Sequence, residues 1–427
     1  MTPSPRVHPA WIVLGALTVC MMAASGLRAV FSVYIKPMEA EFGWSRGALS
    51  GAAAISLLCL GAVGPFAGRL ADRWGPRRVI AISLVVLSAG AVGSALITSL
   101  WQLYATVGLL MAIGSGGLAL ATGSTVVARW FETRRGLVMG IAAGSMSAGQ
   151  LVVIPLAAAL TLWFGWRTSY LGLGLGVLAV ALPFGAWLIR NDPEEIGHRP
   201  YGSTGPAKTV AETAAIQRAG RVSLSEAGRF PQFWLLVGTF FVCGWTTGGV
   251  VLTHFIPHAL DHSFTEFQAS TALGVMGAMN IVGTVMSGWL CDRFGRRGPL
   301  ATYYFLRGLS LLFLLFVSDM ASLLLWAAMF GLNFISTVPP TTTLTANIFG
   351  RYSVGELSGW IFFAHQVGAA IGAATAGWIF EWTGSYASAF VFGALLAIGA
   401  AGLTLAIREE PVIARRPLSG APAAVTT

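Results

Sequence analysis

With 427 residues, 55% of them apolar and only 10% charged, and a mean hydropathy of +0.72, the chain cannot present a mostly aqueous surface. Soluble domains carry about 25% charged residues. The formal charge of +9 does not mark a nucleic-acid binder, because the basic residues stand between apolar stretches, where they act as topology signals. Cys20, Cys59, Cys243 and Cys291 are scattered and form no C-x-x-C pair, so no metal, disulfide or cofactor is expected.

A membrane span needs about 20 mostly apolar residues. The first run, from Trp11 to Ile35 behind Arg6 and His8, is too long for an ordinary signal sequence and reads as an uncleaved first span. Along the chain, spans are expected near 10–36, 47–69, 78–98, 101–128, 135–163 and 167–189, then 232–258, 266–290, 299–318, 321–348, 354–381 and 386–407. The polar stretch 190–231 divides a first six-span bundle, 1–189, from a second, 232–410, and reads as a linker. The tail 411–427, biased to Ala, Pro and Thr, reads as disordered.

Charge counting tests this layout. Of the 26 Lys and Arg, only Lys36, Arg46 and Arg167 fall in loops on one face, while Arg28 and Arg307 fall inside spans. All the others lie on the opposite face, which the positive-inside rule assigns to the cytoplasm together with both termini.

After the second span the chain reads Gly68-Arg-Leu-Ala-Asp72-Arg73-Trp-Gly75-Pro-Arg77-Arg78, and Gly288-Trp-Leu-Cys-Asp292-Arg293-Phe-Gly295-Arg296-Arg297 repeats that pattern in the second half. Duplication into parallel halves with a path between them is a transporter architecture. The repeated G-x-x-x-D-R-x-G-R-R resembles the signature of the major facilitator superfamily. That resemblance implies an all-α integral membrane fold of twelve transmembrane helices in two pseudo-symmetric six-helix bundles, multi-pass in a bacterial inner membrane.

Shorter stretches resemble the monocarboxylate and oxalate/formate branch: Phe42-Gly-Trp-Ser-Arg46, Arg129-Trp-Phe-Glu-Thr-Arg-Arg-Gly136, Gly165-Trp-Arg167, Thr337-Val-Pro-Pro340 and His365-Gln366. One departure stands out. Where that branch often carries Asp-x-x-x-Arg in span 8, this chain has Asn280 and Thr284.

Asp72, Arg73 and Arg77, with Asp292, Arg293 and Arg297, sit at helix ends, where carboxylate and guanidinium form an inter-bundle latch in one conformation and lose it in another. Simple capping and topology are the bland alternative. Arg28 lies some two helical turns inside its span and Arg307 about as deep in span 9, where an unpaired charge costs at least about 2.5 kcal/mol. Arg28 should therefore point inward toward substrate, whereas a structural partner competes equally for Arg307. His365 suits a proton site and Gln366 a ligand donor, against a satisfied buried histidine. Asn280, Asn333 and Gln150 are further intramembrane ligand candidates, and His254 is a weaker one. The glycines of Gly114–Gly117 and Gly140–Gly149 read as packing positions, and Pro339-Pro340 should bend span 10.

Two buried arginines without a mid-membrane carboxylate lead to one functional expectation: a proton-coupled secondary transporter of a small organic anion, working as a monomer by alternating access. Its expected partners are that anion, protons and the lipid bilayer. A proton-antiporting drug or metabolite exporter and a non-transporting sensor are the alternatives. Paired catalytic groups and a G-x-x-x-x-G-K-[ST] loop are both absent, which argues against an enzyme and against ATP drive.

Overall fold

The computed structural model describes residues 8–204 and 209–412. Arg6, Lys208, Arg415, Arg416 and all of the expected tail beyond residue 412 lie outside them. The described residues are helical apart from turns, loops and a single bridge between Phe131 and Tyr201.

Ten segments are long and apolar enough to cross a membrane. One of them, Arg135–Leu188, is two spans joined where Gly165 takes a positive φ of 80°. A further helix, Arg297–Leu314, carries Arg297 and Arg307 and is too polar to qualify by composition. Twelve spans result. We number them α1 (Pro9–Phe42), α2 (Arg46–Trp74), α3 (Pro76–Ala95), α4 (Leu100–Trp130), α5 (135–164), α6 (166–188), α7 (Pro231–Asp261), α8 (Glu266–Phe294), α9 (Arg297–Leu314), α10 (Met320–Phe349), α11 (Val354–Thr383) and α12 (Ala387–Leu405).

Local chemistry fixes the ends of these helices. Ser45 caps α2, the Thr265–Gln268 pair boxes the start of α8, and Asp319 accepts from the amides of Ala321 (2.8 Å) and Ser322 (3.0 Å) to begin α10. Gly43 and Gly384 end α1 and α11 in the left-handed conformation. The second glycine of each repeated motif, Gly75 (φ 88°) and Gly295 (φ 83°), makes the tight turn into the next span.

Three spans differ in detail from the sequence expectation, among them α4, whose helix is interrupted at Leu118 and Ala119. The first continues to Phe42, with its helix interrupted at Val30. The tenth is broken at residues 334–337, just before Pro339 and Pro340, which occupy the first turn of its second segment, where missing amide donors cost nothing.

The two bundles meet through glycine. A Cβ on Gly68 of α2 would lie 2.0 Å from the Gly355 oxygen of α11, and one on Gly288 of α8 would lie 2.1 Å from the Gly136 oxygen of α5. Close packing continues through Gly64 against Gly359, Gly61 against Gln366, and Gly140 and Gly144 against Thr284 and Val285. Lipid removes the hydrophobic drive between helices, so such small-residue seams supply van der Waals contact instead.

The seams run only from the face bearing the chain ends to mid-depth. Continued farther, the same helix faces are exposed at Ser50, Ala54 and Leu57 of α2 and at Ser270, Gly274 and Gly277 of α8. The molecule is thus closed on the termini face and open on the far face. Gly68→Ala should force the seam apart and widen the termini face. Spin labels at positions 78 and 297 should report a longer mean distance than in the parent protein; an unchanged distribution would mean that this seam does not hold the closure.

Candidate functional site

At the inner end of the opening a continuous belt of contacts crosses seven spans. Gln150 of α5 donates through Nε2 to Ser25 Oγ of α1 (3.0 Å). One turn away, Ser147 Oγ accepts from Asn280 Nδ2 of α8 (2.8 Å), and Asn280 Oδ1 accepts from the Ile335 amide in the α10 break (3.0 Å). At the other end of that break, Thr337 Oγ1 lies 3.2 Å from Cys243 Sγ of α7. The neighbouring Gly244 abuts the main chain of His365 in α11, and Gln366 abuts Gly61 of α2.

Arg28 stands at this level on the last turn before the Val30 interruption, three residues beyond Ser25. Its side chain is partly accessible, and among the described residues it has no hydrogen-bond or ion-pair partner. A guanidinium so placed can bind a carboxylate through two parallel hydrogen bonds.

The other predicted ligands divide by accessibility. His365 and Gln366 are half-buried, with His365 Nδ1 3.0 Å from Gln366 Oε1 and its ring stacked on Phe362 and tilted against Phe240. Asn280 is buried with both ends of its amide engaged, and it also accepts from Thr284 Oγ1 (3.1 Å). Asn333 is buried and donates to the Met329 oxygen. Arg307 is fully enclosed, its Nη2 donating to the main-chain oxygens of Asn333 and Phe334. Asn280 and Arg307 brace the α10 break, whose freed backbone groups need partners away from water, while the Asn333 side chain bonds within its own helix. His254 lies nearer the far face, with Nε2 on the Ala373 oxygen.

The termini-face closure is built twice. Asp72 accepts from the amides of Gly355 (3.1 Å) and Glu356 (2.8 Å), the second and third residues of α11. Asp292 accepts from those of Gly136 (2.9 Å) and Leu137 (2.8 Å), the second and third residues of α5. Each carboxylate therefore caps a helix of the opposite bundle.

The arginines expected to share this latch do other work. Arg73 and Arg297 are exposed, Arg293 lies over Trp289 and Phe294, and Arg77 Nε binds the Ala186 oxygen of its own bundle (2.6 Å). The closure recruits Arg129 instead, which is buried and donates to the main-chain oxygens of Asp72 (2.9 Å) and Ala71 and to the Asp192 carboxylate. Burial raises the Asp192 pKa, and Arg129 offsets part of that. Arg129 opens the Arg-Trp-Phe-Glu stretch of the sequence, the signal that marks its position. The stretch 190–231 adds two bonds, from Gln217 Nε2 to the Asp72 main-chain oxygen and from the Val222 amide to Ser353 Oγ, both 2.7 Å.

Comparison with known proteins agrees with this architecture. The Major Facilitator Superfamily model matches residues 17–373 and 255–426. An uncharacterized MFS-type transporter, YcxA, of Bacillus subtilis (strain 168) is 28% identical, covering 90% of this chain and 91% of its own. Mouse monocarboxylate transporter 11 is 28% identical over 92% of this chain and 86% of its own. Among solved structures, the proton:xylose symporter XylE superposes with a TM-score of 0.71 at 17% identity, over 95% of this chain and 98% of that one. FucP in its outward conformation also reaches 0.71, at 15% identity, over 94% and 100%. With the family model matching most of its length and the twelve-helix fold in place, the chain belongs to the major facilitator superfamily of membrane transporters.

Proposed function

We propose that the protein is a proton-coupled secondary transporter of a small, monocarboxylate-like organic anion, working by alternating access. The single observation that carries this reading is Arg28, partly accessible at the inner end of the opening and unpaired among the described residues. The relatives whose printed names are monocarboxylate transporters add support for the cargo class. The positive-inside rule favours a cytoplasmic termini face, and in a bacterial inner membrane the far-face opening would then receive cargo from outside. No neighbouring chain is needed to complete the belt, which suits a functional monomer.

On this reading the cargo carboxylate takes the Arg28 fork, while Gln150 and Gln366 offer uncharged donors nearby. Neutralising the buried cation lowers the cost of moving charge through the membrane interior. His365, half-buried on the same belt, supplies a proton site beside the path. The carboxylate-capped gate then opens as the far face closes, with Asp72, Arg73, Arg77, Asp292, Arg293 and Arg297 marking the loops that move. Asn280 and Arg307 act behind the cavity wall by holding the α10 break in register, and Asn333 contributes a main-chain oxygen that Arg307 binds.

Replacing Arg28 by Lys keeps the positive charge but loses the two parallel bonds of the fork. Calorimetry with pyruvate and a panel of small monocarboxylates should show binding weaker by about 1.5 to 3 kcal/mol, the scale of hydrogen bonds to charged groups, or roughly ten- to hundredfold. Arg307→Lys, measured beside it, should bind within a few fold of the parent. Normal binding by Arg28→Lys together with failure of Arg307→Lys would move the anchor to α9. For the proton site, His365→Gln should flatten the pH dependence of gradient-driven uptake in vesicles while leaving exchange at equal concentrations intact; an unchanged pH profile would return His365 to a packing role.

A further inference from the structure

Adjacent residues of an α-helix point about 100° apart, so their side chains do not meet unless one is folded back over the helix surface. His365 and Gln366 of α11 do meet: Nδ1 lies 3.0 Å from Oε1, and both side chains are half-buried at the inner end of the opening. Support for this posture comes from the other bundle. A Cβ on Gly61 of α2 would lie 3.0 Å from both Cβ and Cγ of Gln366, so the glutamine stem rests on bare α2 backbone at the inner limit of the α2–α11 seam.

The His365 ring is held separately from Gln366. Phe362, one turn earlier on α11, stacks on it with centroids 5.7 Å apart and planes 13° from parallel, and Phe240 of α7 tilts against it at 5.1 Å. Its main chain lies against Gly244 of α7. Of the ionisable groups around it, Cys243 of α7 interacts with it electrostatically, and Arg28 of α1 stands at the same level in the other bundle. Every Asp and Glu between residues 232 and 405 lies in a loop or within the terminal turns of a helix, and α2 carries no charge between Arg46 and Arg69. An amide oxygen has no proton to give. At 3.0 Å, therefore, Nδ1 must be the donor, which leaves the lone pair of the neutral ring on Nε2.

Resting on the reading of His365 as the proton site, we propose that Gln366 is its positioning residue and ties it to the movement of the bundles. While the seam is closed, α2 keeps Oε1 on Nδ1, and the ring takes up and returns its proton at Nε2 alone. When the seam parts, Gln366 loses that support and its long side chain recovers rotamer freedom. The Nδ1 proton then has no fixed acceptor. One proton leaves Nδ1 for water in the path as another joins Nε2 from it, so the ring stays neutral while its basic nitrogen changes from Nε2 to Nδ1. The nitrogen that exchanges protons thus follows the arrangement of the bundles.

Nitrogen-15 NMR of ring-labelled histidine reads the tautomer directly, in membranes kept alkaline enough to leave imidazole neutral and with the His365 signals identified by their loss in His365→Gln. The parent protein should show its bare nitrogen at Nε2. Gln366→Leu, which has no acceptor, should move that signal to Nδ1, the bare nitrogen of an unconstrained histidine, whereas Gln366→Glu, whose ionised carboxylate only accepts, should keep it at Nε2. Gly61→Val, which must part the seam or displace Gln366, should give the same reversal as Gln366→Leu. A bare Nδ1 in the parent, or no reversal in Gly61→Val, overturns the proposal. Gln366→Leu should also flatten the pH dependence of gradient-driven pyruvate uptake; an unaltered profile with the tautomer reversed overturns the coupling role. The NMR arm needs no cargo, so a protein that shows the reversals but moves no pyruvate counts against the cargo class rather than against Gln366.

Discussion

A carboxylate on the N-terminus of a helix belonging to the other bundle is the contact on which the rest of the structure depends. The first amides of a helix have no partners of their own and carry the positive end of its dipole, so an Asp placed there gains two charge-assisted bonds. In this chain Asp72 does so for α11 and Asp292 for α5, at equivalent residues of each helix. The glycine four residues before each Asp lies on the same helix face and admits the backbone of the capped helix to contact. Spacing in the motif thus has a mechanical meaning: the glycine sets the approach and the carboxylate fastens it. Because the bonds are to backbone amides, they vanish when the bundles separate, leaving groups that must find water.

The gate and the belt are two ends of one seam. Closure on the termini face brings α5 against α8 and α2 against α11 as far as Ser147–Asn280 and Gly61–Gln366, and there the seams stop. Asn280 joins that limit to the broken middle of α10, so the wall of the opening is tied to the latch through packed helices and not through loops. The two halves are unequal in detail. Asp72 is buried under Arg129 and the linker, whereas Asp292 is exposed. Losing the first should cost more, because its partners have no access to solvent while the gate is shut.

The sequence made much of this legible, for identifiable reasons. Spans are visible because lipid demands long apolar runs, and the duplicated motif exposes the pseudo-symmetry. Val30 leaves no mark as an interruption because a local kink leaves hydropathy unchanged, whereas Gly165 falls in the expected turn between the spans 135–163 and 167–189. Arg307 and Asn280 were recognisable as polar groups at membrane depth, but whether such a group faces cargo or braces a backbone break depends on tertiary packing. The break of α10 falls before Pro339, so the very carbonyls that Arg307 holds could not be located from the prolines alone. The arginines of the motif drew attention through charge, while the closing bonds are made by the two aspartates to main-chain amides, which carry no sequence signature.

Removing both caps at once tests the central claim most directly. In the Asp72→Asn/Asp292→Asn double variant each capping side chain keeps its shape but loses the charge that complements the helix N-terminus, so the termini-face closure should weaken and the balance should move toward the opposite arrangement. Spin labels at Thr98 and Ser318, on far-face loops of the two bundles, should give a long inter-label distance in the parent protein and a substantial shorter-distance population in the double variant. A distance distribution identical in both would contradict the account, because the closed face would then be held by packing alone.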